Sequence, residues 1–174
     1  MNEKNKHQIE TVSAIHQKTI NFLLAYKKNC SRINDAIIQK IVANNELMIN
    51  GCDPNMNKIS HALSVHKFLI ENVIEMCDDF ILDFNQKCND LCLHVYNDKD
   101  VCFIGSVTMI LNWIIDLIEA INKKLISPDN VKFKAVLMGD SINKQIFNQK
   151  TWLGSFYKFV EQIKSQIANT ETSL

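Results

Sequence analysis

Glycine and proline are nearly missing from this sequence. Only four glycines and two prolines occur in 174 residues. Sheet-rich folds need many turn residues, and parallel sheets need glycine-rich turns at their strand ends. The scarcity argues against both and predicts long helices with few connections. Charge of one sign is missing too: 19 lysines and arginines face 19 aspartates and glutamates, with no basic block anywhere. Nothing here would hold a phosphate backbone, so nucleic acid is not an expected partner. No signal peptide is visible. The apolar runs look shorter than the ~20 residues that cross a bilayer, so no transmembrane anchor is expected. Membrane association would need an anchor that these residues do not supply. There is no glycine-rich phosphate loop, no paired-histidine zinc motif and no serine-elbow signature. The expectation is a protein that is not an enzyme and carries no cofactor.

What is present belongs to a globular chain. Hydrophobic residues make up 47% and charged residues 22%, which is far from the composition of disorder. The length suits one domain over residues 1–174 that folds without metal or disulfide. Six cysteines occur, Cys30, Cys52, Cys77, Cys88, Cys92 and Cys102. Several fall at apolar positions of helical patterns, as reduced cysteines acting as small hydrophobes do in a cytoplasmic protein. Cys88 and Cys92 share a helical face, with His94 nearby, but a zinc site needs a fourth ligand. His61 and His66 are five apart and share no face, so no metal is expected. Asp78 and Asp79 read as a solvated edge.

Along the chain, residues 1–6 are polar and expected to be flexible, as are 169–174. A helical stripe runs through Ile9, Val12, Ile15, Ile20, Leu23, Leu24 and Tyr26 over residues 7–28. A second runs through Ile33, Ile37, Ile38, Ile41 and Val42, ending near Asn50 and Gly51. Residues 51–57 form the clearest loop. A long helix is predicted over 59–93, then a polar turn at 97–100. The most apolar segment follows, Val101 to Ile121, and is the expected buried centre. Ser127, Pro128 and Asp129 signal another helix start, running to about Phe147, and a last helix spans Thr151 to Ala168. The residues therefore predict six to eight helices around one very apolar helix.

Three stretches resemble the Bcl-2 apoptosis regulators. Val73, Cys77, Asp78, Asp79 and Phe80, with Phe84 as the next apolar place, match the family's third homology region (BH3) in order. Asn112 and Trp113 match the Asn-Trp of the first region (BH1), although Ile114 and Ile115 stand where the family has Gly-Arg. Trp152, Gly154, Phe156, Phe159, Val160 and Glu161 look like the second region (BH2), with a shorter gap after the tryptophan. Their order along the chain is the family's order.

The resemblance implies an all-α, Bcl-2-like bundle of about 7–8 helices around one central hydrophobic helix. It implies a groove that grips the amphipathic BH3 helices of pro-apoptotic partners, a mode of recognition for which this family is a standard example. The expected lining is Phe80, Phe84, Lys87, Leu91, Phe103, Val107, Leu111, Asn112 and Ile115. Asn112 would cap a helix or bond the ligand, and Trp113 and Trp152 would be structural. With Ile115 in place of the family's arginine, Lys87 becomes the candidate cation. The implied activity is pro-survival: blocking permeabilisation of the mitochondrial outer membrane from the cytoplasmic side, with homodimerisation through the same groove as a further implication. A pore-forming, pro-apoptotic member and an unrelated helical interaction module are the alternatives.

Overall fold

The computed structural model describes residues 1–49, 51, 55–99, 102–125 and 140–172. Among these it is all-helical, with four helices: α1 (Glu3–Ile49), α2 (Asn55–Tyr96), α3 (Phe103–Leu125) and α4 (Asp140–Thr172). The all-α expectation holds, whereas the seven to eight helices of a Bcl-2-like bundle do not appear among the described residues.

The reason is that the core stripes do not stop where the sequence reading stopped them. On α1, buried Val12, Ile15, Thr19, Leu23, Tyr26, Cys30, Ile33 and Ile37 follow one another at steps of three or four. Cys30 carries the stripe through the polar residues 29–32, which contain no proline or glycine to end a helix. The two helices expected over 7–28 and about 33–50 are therefore one helix of 47 residues. On α2 the same rhythm runs through Leu63, His66, Ile70, Val73, Cys77, Phe80, Phe84, Cys88, Leu91 and Val95. On α4, Gln149, Leu153, Phe156 and Val160 continue it, so the break expected between Phe147 and Thr151 is absent. Alternating three-four spacing is what helices use to pack along their length. The start signal at residues 127–129 lies outside the described residues.

The helix ends have local causes. The Asn5 amide donates to Asn2 Oδ1 at 2.7 Å, which caps the N-terminus of α1. Asn5 Nδ2 then donates to Asp98 Oδ1 at 2.9 Å. Residues 3–6 are thus helical rather than frayed, and α4 likewise continues through 169–172. α1 ends at Ile49, beside Gly51 at φ +83°, as the expected stop predicted. Of the loop expected over 51–57, residues 55–57 belong to α2, which begins at Asn55; residues 52–54 lie outside the described residues. At the end of α2, the Lys99 amide donates to the His94 carbonyl and the Asp98 amide to the Val95 carbonyl, both 3.1 Å. With Asp98 at φ 53°, this is a Schellman cap closed without glycine.

The chain divides into two compact units, each taking a segment of all four helices. Unit 1 comprises Met1–Ala25, Cys77–Glu119 and Leu153–Leu174; unit 2 comprises Tyr26–Met76 and Ala120–Trp152. Unit 1 holds a set of packed aromatic rings. Phe22 stacks on Phe156 with centroids 4.0 Å apart, Phe80 stacks on Phe84 at 5.1 Å, and Trp113 tilts over Phe80 at 4.6 Å.

The most apolar helix corrects one expectation. Phe103–Lys124 is 22 residues long with a mean hydropathy of 1.6, enough by length and composition to cross a membrane. In this structure 44% of that window is buried inside the protein. Val107, Ile110, Leu111, Ile114, Ile115, Leu117, Ile118 and Ile121 point inward. That spread covers more than one face, while Met109, Asn112, Asp116 and Glu119 remain exposed.

Candidate functional site

The three stretches behind the family resemblance behave as helix faces. In the first, Val73, Cys77, Phe80 and Phe84 are buried while Asp78 and Asp79 are exposed. The acidic pair is thus a solvated edge of α2, and the apolar positions turn inward. The second stretch meets the first within unit 1: Trp113 contacts both Phe80 and Phe84, the latter at 6.1 Å between centroids. In the third, Phe156 and Val160 are buried, but a Cβ added at Gly154 would meet nothing within 4 Å. No close approach requires that glycine.

Of the nine residues expected to line an open groove, Phe80, Phe84, Leu91, Val107, Leu111 and Ile115 are buried in unit 1. They make core, since a groove lining must meet solvent before a partner covers it. Phe103 is half-buried near the start of α3. Asn112 lies in the interior of α3 and so caps no helix; it is exposed. Trp152 is 43% exposed rather than structural core.

Two of the nine do come together at the surface. Lys87 and Asn112 border a depression of about 230 Å3 within unit 1, with Met109, Ile110, Trp113 and Asp116. Helix α2 contributes Lys87, and α3 contributes the others at i, i+1, i+3, i+4 and i+7 from Met109, which is one helical face. The Lys87 Nζ sits 3.7 Å from the centroid of the Trp113 ring. That cation-π contact fixes the lysine stem against the indole and holds its charge at the rim. Asp116 brings the opposite charge to the same rim. Met109 is 68% exposed, an adaptable thioether standing beside a half-buried indole. The surface is apolar in the middle and charged with both signs at its edge.

Three of the thiols, Cys30, Cys88 and Cys92, are held in the protonated form. Burial pushes the Cys88 thiol up to about 12, with the neighbouring Cys92 adding to the effect. Burial also raises Cys30, to about 11, against hydrogen bonds with Gln149 and Tyr26 that pull it down. Cys92 is raised by burial, partly offset by a hydrogen bond with Ser13. A reactive cysteine needs the opposite shift. Cys30, Cys77, Cys88, Cys92 and Cys102 form no disulfide; Cys52 lies outside the described residues. Among the described residues no three His, Cys, Asp or Glu side chains converge as a metal would require.

Sequence reasoning missed a polar cluster in unit 2, formed by Asn29 and Arg32 of α1 with Gln145, Asn148, Gln149 and Trp152 of α4. The available signal was their spacing at three, four and seven residues, which puts each set on one helix face. Comparisons with family models, curated proteins and solved structures found no match.

Proposed function

We propose that the protein is a non-catalytic interaction module that seats the apolar face of a partner's amphipathic helix on the α2–α3 depression of unit 1. One observation carries this reading: an exposed Met109 beside the Trp113 ring, between a cation and an anion. A depression of about 230 Å3 is smaller than the ~300–1,000 Å3 of a small-molecule site. It suits one or two apolar anchors of a peptide, with Lys87 and Asp116 pairing to charges beside them.

The resemblance to the Bcl-2 regulators supplies the finer reading. The partner helices are then the BH3 segments of pro-death proteins, and holding them protects the mitochondrial outer membrane, with the protein acting from the cytoplasmic side. The seat differs from the groove that the resemblance implies. The apolar side chains that would line that groove are interior, so the partner rests on the surface above them.

The test is a titration of the full chain against fluorescent BH3 peptides, beside the same peptides with their main leucine anchor changed to glutamate. Micromolar or tighter binding, about −8 kcal/mol or better, lost with the altered anchor, is the expected result. If folded protein ignores every peptide, the BH3 reading falls, and a helical module with another partner takes its place.

One observation favours a second reading. Phe103–Lys124 has the length and hydropathy of a membrane-crossing helix, which a pore-forming, pro-apoptotic relative would need. Release of dye from liposomes on adding an activating BH3 peptide supports that reading; suppression of such release supports the protective one.

A further inference from the structure

The polar cluster of unit 2 encloses a cleft of about 400 Å3, which falls within the ~300–1,000 Å3 range of small-molecule sites. Its chemistry is unusual for a seam between two helices. Four carboxamides line it, together with one guanidinium and one indole, over the buried side chain of Ile33. No carboxylate is among the lining groups. Arg32 is the only arginine in the sequence, and among the described residues no carboxylate pairs with it.

One wall of the site is held in place before any ligand arrives. Gln149 is only 4% exposed. Its Nε2 donates to the Tyr26 carbonyl and to Cys30 Sγ, each at 3.2 Å. One turn earlier, Gln145 Oε1 is buried with no donor. A buried acceptor left without a donor is costly, whereas the carboxamide of Asn148 stands exposed at the same cleft. Trp152 offers an exposed ring face at the same cleft.

From this set we infer that the cleft binds a small aromatic carboxylate bearing a hydrogen-bond donor. The carboxylate lies on the Arg32 fork, where two parallel N–H bonds select a planar anion. The donor meets the exposed carboxamide of Asn148, and the ring stacks on Trp152. The site is separate from the α2–α3 depression and does not depend on the partner reading.

The experiment follows the indole N–H signals of the two tryptophans by NMR on the full chain; Trp152→Phe identifies which is which. The probe is 4-hydroxyphenylacetate, and its neutral amide, 4-hydroxyphenylacetamide, is the control. The Trp152 signal should shift saturably with a Kd of about 1 mM or tighter, while the Trp113 signal stays in place. The amide should bind about ten-fold more weakly or worse, and Arg32→Gln should weaken the acid by a similar factor. Arg32→Lys should fall between, because it keeps the charge and loses the fork. No saturable shift by roughly 10 mM, equal binding of acid and amide, or unchanged binding in folded Arg32→Gln would each overturn the inference. The comparison of acid with amide needs no variant, so it decides the matter even where a substitution disturbs folding.

Discussion

Phe84 separates a core reading from a groove reading most sharply. Its side chain is 0% exposed and meets three rings: Phe80 at 5.1 Å, His16 at 5.8 Å and Trp113 at 6.1 Å between centroids. Phe84→Ala removes a fully buried ring and leaves a cavity that four helix segments cannot easily close. Such a change costs about 3–5 kcal/mol. At about 2–4 °C per kcal/mol for a chain of this size, Tm should fall by roughly 6–20 °C. Leu82, two residues away, is 74% exposed, and Leu82→Ala should change stability by no more than about 0.5 kcal/mol. Urea unfolding followed by far-UV circular dichroism measures both, with the midpoint moving and the slope unchanged. A Phe84→Ala variant that loses less than about 1 kcal/mol yet loses peptide binding would refute the core assignment. It would restore Phe84 to an open groove.

Further expectations concern helix ends, glycine and thiols. Gly154→Ala should raise stability by about 0.5–1 kcal/mol, since the helix gains propensity and the added methyl meets open space; thermal denaturation reads this directly. Asp98 holds φ 53°, so Asp98→Val should cost about 1–2 kcal/mol by forcing a β-branched residue into the left-handed region. In short iodoacetamide pulses at pH 8, Cys102, which is exposed, should label before the buried Cys30, Cys77 and Cys88. Cys30 and Cys88 keep their protons to about 11 and about 12 when folded, against 9.0 ordinarily. Above pH 9 the folded chain therefore binds more protons than the unfolded one. The stability they contribute is intact below pH 9 and declines as pH rises toward those values; urea midpoints across pH 8–11 measure the decline.

Helix type was legible because it rests on period and composition. Helix number was not, because residues of ambiguous or polar type occupy core positions. Cys30 bridges Tyr26 and Ile33 on the α1 stripe, and Gln149 precedes Leu153 on α4. Thr19 and His66 interrupt their stripes in the same way. A hydrophobic pattern read along one helix marks such residues as breaks. What makes Gln149 an interior residue is the Tyr26 carbonyl and the Cys30 thiol on another helix, and no local pattern carries that information. The site was legible only in part for a related reason. Period predicts that Phe80, Phe84 and Leu91 share a face, but whether that face meets another helix or solvent is decided by tertiary packing. Lys87 and Asn112 reached the surface depression together because the helices set them beside Trp113.

The most direct test of partner binding is the affinity of one fluorescent BH3 peptide for the native chain and for Met109→Glu. Met109 is 68% exposed, so the substitution should leave Tm within about 2 °C. It places a charge where the apolar anchor would sit, and binding should weaken about ten-fold or more. Equal affinity of the two proteins, with Tm unchanged, would contradict the account and remove the partner from the α2–α3 depression.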